Sequence, residues 1–217
     1  MIICTQKTAL KIKSGYWGAS MGKIDELKNH FIEYGGVLKS SELNDLGFSS
    51  RQIKKLMEEG LISKIKHGFY ELTGYIPKEE VIIARLFPKS IIFLESALVY
   101  YEYTDRIPSS WQIAVNKDSK LQYDRDYPLI KPYYLEPKFI EIGIDIIVIE
   151  GVEVRIYDRD RTICDVLRYE TKLEEDVFTK AIKSYIKDSK KNVRNLFEYA
   201  ETFNIKNKVQ TYIGVWL

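Results

Sequence analysis

The sequence predicts an α+β chain, in which a small helical module closed by a β-hairpin precedes a mixed α/β region with a small sheet and a helical C-terminal third. Three observations carry this prediction. Apolar residues recur with a period of about 3.6 up to Gly60 and of about 2 directly after it. Short aliphatic runs alternate with helical stretches between Ile91 and Tyr157. From Asp160 onward the apolar spacing is helical again, to the end of the chain.

The first helix is predicted over Ile24–Tyr34, where Ile24, Leu27, Phe31 and Tyr34 make one stripe and Gly35-Gly36 ends it. Ser40-Ser41-Glu42-Leu43-Asn44-Asp45-Leu46 has a serine cap and two apolar residues three apart, enough for a turn or two of helix, and Gly47-Phe48 is a turn. Ser49-Ser50-Arg51-Gln52 then reads as a capping box, with Ser49 on the Gln52 amide and the Gln52 side chain reaching back. A helix therefore starts at Ser50 and runs to about Glu59. Ile53, Leu56 and Met57 fall on its inner side, Arg51 and Lys55 on the opposite side, and Lys54 on the flank. Leu61–Lys66 alternates, His67-Gly68 turns, and Phe69–Leu72 returns, which is a hairpin with a basic tip. Three helices followed by such a hairpin is the element order of a winged helix-turn-helix. In that arrangement a helix with bases in its first turn enters the major groove, and the hairpin meets flanking phosphates.

The expected DNA-contacting residues are thus Ser49, Ser50, Arg51, Lys54 and Lys55 on the helix, with Lys64, Lys66 and His67 on the hairpin. A plainer account competes, because Glu58 and Glu59 follow Lys54 and Lys55 one turn later and can pair with them. Ser49–Leu72 holds five Lys/Arg against three Asp/Glu, so the local charge is modest. The same module could instead bind protein.

The division expected is a flexible basic arm at 1–22, with three lysines and no acid, the winged module at 23–74, and a second domain at 75–217. The turn Thr73–Pro77 separates the last two. Pro77–Phe87 reads as a helix, with proline and two glutamates in its first turn. Ile91-Ile92-Phe93 is a buried strand or the lead-in to a helix through Glu95–Tyr101. Strands follow at Trp111–Val115 and Ile130–Leu135, and a hairpin at Ile144–Ile149 and Val152–Tyr157. The remaining helices are expected at Asp160–Tyr169, Glu174–Asp188, Val193–Phe203 and Lys206–Trp216. Lys180–Arg194 carries six Lys/Arg and one Asp. Lys187 sits where macrodipole partners sit, whereas Lys190, Lys191 and Arg194 lie beyond that helix, so the four together make a second candidate basic surface.

The composition, 45% hydrophobic and 29% charged, is that of an ordinary globular protein. No apolar run approaches the ~18 residues of a membrane span, and the N-terminus lacks the apolar stretch of a secretory signal. The two cysteines, Cys4 and Cys164, show no ligand or redox spacing, which points to a reduced, cytoplasmic setting. No metal-ligand spacing involves His30 or His67, and no phosphate loop or nucleophile elbow is present, so no catalytic residue, metal or cofactor is expected. The exception to weigh is Asp158-Arg159-Asp160-Arg161-Thr162-Ile163-Cys164-Asp165. Three aspartates so close could hold a divalent cation for a nuclease. Interleaved arginines, and the value of Asp158 or Asp160 as a helix N-cap, favour a cap with an arginine or two on the surface.

The stretch SSRQIKKLMEEGLISKIKHGFYEL resembles the winged helix of AbiEi-type antitoxins of abortive-infection toxin–antitoxin systems. The likeness extends through Phe87-Pro88, Glu95-Ser96-Ala97-Leu98 and Asp160–Asp165, about residues 23–217. The resemblance implies a winged helix that represses its own operon at promoter repeats and a second domain that neutralises a nucleotidyltransferase-like toxin, directly or indirectly. A homodimer on inverted repeats would place one helix in each half-site.

Overall fold

The computed structural model describes residues 21–120 and 127–216. The basic arm expected at 1–22 lies outside them except for its last two residues, and helix α1 (Met21–Glu33) already includes these. Leu27 and Phe31 of α1 are buried on one stripe, and Gly35 and Gly36 follow with positive φ. A Cβ on Gly36 would lie 2.2 Å from the Tyr75 ring, so glycine there serves both the backbone turn and the close approach of a distant segment.

Strand β1 (Val37–Lys39) comes next, a three-residue element that alternation does not reveal. It leads straight into α2 (Ser40–Asp45), whose cap differs from the expected serine. Lys39 is the N-cap, and its amide donates to the Glu42 carboxylate at 2.7 Å. Helix α3 (Ser50–Glu58) follows, then β2 (Ile62–Lys66) and β3 (Phe69–Leu72). The strands form an antiparallel sheet in the order β1-β3-β2, with Val37 opposite Glu71 and Ile62 opposite Leu72. Leu27, Phe31, Leu38, Leu43, Phe48, Ile53, Leu56 and Ile62 pack together beneath it as one core. This is a winged helix in element order and in packing.

The rest of the chain is built on a second core. Helix α4 (Glu79–Leu86) starts two residues later than expected, with Lys78 as its N-cap and Pro77 buried close to Gly36 before it. Both readings of Ile91–Phe93 are realised: β4 (Ile91–Ile92) is a short strand, and α5 (Leu94–Tyr100) begins after Phe93. Strands β5 (Trp111–Asn116) and β6 (Ile130–Leu135), a short helix α6 (Pro137–Ile140), and strands β7 (Ile144–Ile149) and β8 (Val152–Tyr157) follow. The five strands order as β6-β5-β4-β8-β7. Neighbours β5–β6 and β4–β8 are parallel, while β4–β5 and β7–β8 are antiparallel.

The last third is helical: α7 (Arg159–Arg168), α8 (Glu175–Lys187), α9 (Val193–Thr202) and α10 (Lys206–Tyr212), with a final turn of 3₁₀ helix at Gly214–Trp216. Helix α7 is the centre of this layer, buried from Asp160 through Leu167 on every side. Where the two cores meet, Gly35 lies close against Val81 and Val152, and polar contacts cross the seam. Arg85 of α4 pairs with Glu42, donates to the Val37 carbonyl at 3.2 Å, and lies over the Tyr34 ring. Tyr75 donates to Glu150 at 3.1 Å.

Candidate nucleic-acid interface

The surface that α3 offers follows from its cap and its stripe. Ser49 accepts the Gln52 amide, and the Gln52 side chain accepts the Ser49 amide at 2.9 Å, the reciprocal pair that the spacing predicts. Ile53 and Leu56 anchor the inner side, with Met57 against the same core. Ser50, Arg51 and Lys54 are exposed on the outer side, and Lys55 is half-buried at its edge. Lys54 lies 3.8 Å from Glu58 and Lys55 lies 3.7 Å from Glu59, so both lysines have the helical partners their spacing allows. Pairs this exposed are worth a few tenths of a kcal/mol, about 0.3–0.5, little enough for a phosphate to displace. Arg51 makes no ion pair or side-chain hydrogen bond among the described residues.

The hairpin is less symmetric than the alternation in Ile-Ser-Lys-Ile-Lys suggests. Lys64 is opposite Tyr70 and Lys66 is opposite Phe69, with a register shift between the two lysines. Tyr70 and Phe69 are consecutive in β3 and face opposite sides, so the irregularity at Ile65 sends Lys64 and Lys66 to opposite faces. Lys64 is exposed, and His67 is exposed at the tip beside Gly68. Lys66 instead lies over the Phe87 ring, 5.2 Å from its centroid, facing the second core. The Gly68 carbonyl accepts from the Ser40 amide at 2.8 Å, which ties the tip to the start of α2.

The second basic cluster divides in the same way. Lys191 Nζ donates to the carbonyls of Ile186 and Asp188, closing the end of α8, and Arg194 pairs with Glu198 at 2.8 Å. Lys187 and Lys190 border an open cleft of about 570 Å³ with Tyr100, Arg159 and Asp188.

The aspartates of α7 do not converge. Asp158 is the N-cap, accepting the Arg161 amide at 2.7 Å and the Tyr199 hydroxyl at 2.9 Å. Asp160 accepts the Tyr185 hydroxyl and the Asn192 amide. Burial raises both carboxyls above their ordinary range. Asp165 is fully buried between Arg161 at 2.7 Å and Arg168 at 2.5 Å. Among the described residues no group of three acidic, histidine or cysteine side chains is placed to hold a metal ion.

The expectation of surface arginines beside the cap needs correcting at one of them. Arg161 is fully buried, donating to Asp165 and to the carbonyls of Phe139 and Ile142, with its guanidinium between the Tyr157 and Phe203 rings. Sequence reasoning missed it because an arginine between two aspartates looks solvated. The available signal was the helical pair Arg161–Asp165, at i,i+4 and flanked by Thr162, Ile163 and Cys164. Burial likewise pushes the Cys164 thiol up, away from reactivity.

Residues 25–73, from α1 to the end of β3, match a family model described as a transcriptional regulator, AbiEi antitoxin. No curated protein matches the chain. Among the described residues no helix is long and apolar enough to cross a membrane.

Proposed function

We propose that this chain is a transcription-regulating antitoxin, not an enzyme, whose winged module at 23–74 binds double-stranded DNA at its own promoter and represses its operon. The observation that carries this reading is the exposed outer face of α3, Ser50, Arg51 and Lys54, in the segment that matches the regulator family. Arg51 is the base-reading residue, since a guanidinium in the first turn of a recognition helix reaches the edges of a guanine. Ser49, Ser50, Lys54 and Lys55 line the same end of the helix, and Lys64 and His67 take flanking phosphates. Lys66 contributes to the field of the hairpin from its other face. Residues 75–217 form the part that neutralises a nucleotidyltransferase-like toxin, in the cytoplasm, with Lys187 and Lys190 as the accessible members of the second basic cluster.

The direct test is a mobility shift on DNA from upstream of the gene. Wild-type protein is expected to retard that fragment ahead of scrambled competitor, and Arg51→Ala with Lys54→Ala to lose the preference. Equal retardation by wild type and the double variant would remove α3 from the interface.

A further inference from the structure

The outer edge of β7 departs from every other sheet edge in the described residues. An exposed strand edge presents unpaired N–H and C=O groups, and proteins blunt such edges with proline, lysine, bulges or very short strands. Here β6 carries Lys131 and Pro132, β2 carries Lys64 and a register shift, and β1 is three residues long with its Val37 carbonyl taken by Arg85. Strand β7, Ile-Asp-Ile-Ile-Val-Ile, has none of these, and it ends the order of the five-stranded sheet.

Its geometry fixes what could cover it. The Asp158 amide donates to the Gly143 carbonyl, so by antiparallel alternation Asp145, Ile147 and Ile149 bond toward β8. Ile144, Ile146 and Val148 then turn their backbone groups outward. Ile146 and Val148 are also the strand's exposed apolar side chains, at 55% and 69%. The Ile146 amide is held by the Asp145 carboxylate at 2.8 Å, a local cover that association must exchange.

The geometry points to a second copy of this chain as the occupant, adding β7 to β7 in antiparallel fashion about a twofold axis at Ile147. In that register Ile146 lies opposite the partner copy's position 148, and each such pair exchanges both backbone bonds. The charges agree with it. Glu153 flanks Val148 and Arg155, which also pairs with Glu141, flanks Ile146 on β8, so each of the two rows through Ile146 and Val148 carries one acid and one base, and no row sets two like charges together. The single charge in the strand, Asp145, falls opposite an isoleucine rather than another aspartate. The result is one continuous sheet across two copies and an isologous interface.

This inference goes beyond DNA binding and is tested without DNA. Sedimentation equilibrium of the full chain across the micromolar range is expected to show mass rising from one copy to two. Val148→Lys and Ile146→Lys, both at exposed positions, are expected to remain at one copy with unchanged circular dichroism, while Tyr134→Lys on the opposite edge still dimerises. Hydrogen exchange adds an independent readout, because protection at Ile146 and Val148 must grow with protein concentration. A mass of one copy throughout would overturn the inference, as would a dimer that survives Val148→Lys. Concentration-independent protection shared by β7 and residues 1–20 would also overturn it, by showing that the chain covers its own edge.

Discussion

At the scale of single residues, charge is spent on architecture in the helical third and on surface in the winged module. Arg161 shows the first use: its fixed fork reaches Asp165 and two carbonyls while two rings pack on its faces. Removing one partner of a buried pair leaves a charge without its complement. Arg168 still holds Asp165, so Arg161→Met is expected at the lower end of the usual range, about 3 kcal/mol. Thermal unfolding should show this as a fall of roughly 6–12 °C in Tm at this chain length. Asp188 supplies a pH-dependent counterpart. Burial raises its carboxyl, but the Tyr103 hydroxyl, the Lys190 amide and Arg159 outweigh that and hold it below the ordinary range. A lowered folded pKa contributes stability that is present above the unfolded value, about 3.9, and lost as pH falls through the folded one. The stability gap between wild type and Asp188→Asn in urea titrations should therefore be full near neutrality and close below that window.

At the scale of elements, helix periodicity was legible and short or irregular pieces were not. The α3 capping box and stripe are written in Ser49, Gln52, Ile53 and Leu56, and the structure has them as the spacing implies. Strand β1 is too short for alternation to register, and the shift at Ile65 is hidden because Ile-Ser-Lys-Ile-Lys alternates without a flaw. The consequence for the candidate interface is specific, since the hairpin divides its lysines between two faces. Buried Arg161 was legible only in part: its i,i+4 pair with Asp165 is written in the chain, but local sequence cannot show that Tyr157 and Phe203 close over it. Ser49 separates helix stability from DNA contact. Ser49→Ala should cost about 1 kcal/mol through the lost cap, measured by chemical denaturation. Ser49→Asp should keep the cap, because aspartate is an equally good N-cap, yet weaken DNA binding by placing a carboxylate beside phosphates.

At the scale of the whole molecule, directional polar contacts cross a junction where Val37, Val81, Ile82 and Val152 are also buried. Arg85 makes the chief of these contacts, linking α4 to Glu42, Val37 and Tyr34 of the winged module. Arg85→Ala should leave each core folded and loosen the seam, seen as faster proteolysis within 73–78 while fragments of both sides persist. The central claim, that α3 reads DNA through Arg51, is tested most directly by anisotropy titration of the upstream DNA and a scrambled duplex over a range of salt. The account predicts that Arg51→Ala loses about 1–3 kcal/mol on the upstream sequence and little on the scrambled one. Lys64→Ala should instead weaken both alike and flatten the salt dependence. An Arg51→Ala protein that keeps the full wild-type preference for the upstream sequence would contradict it.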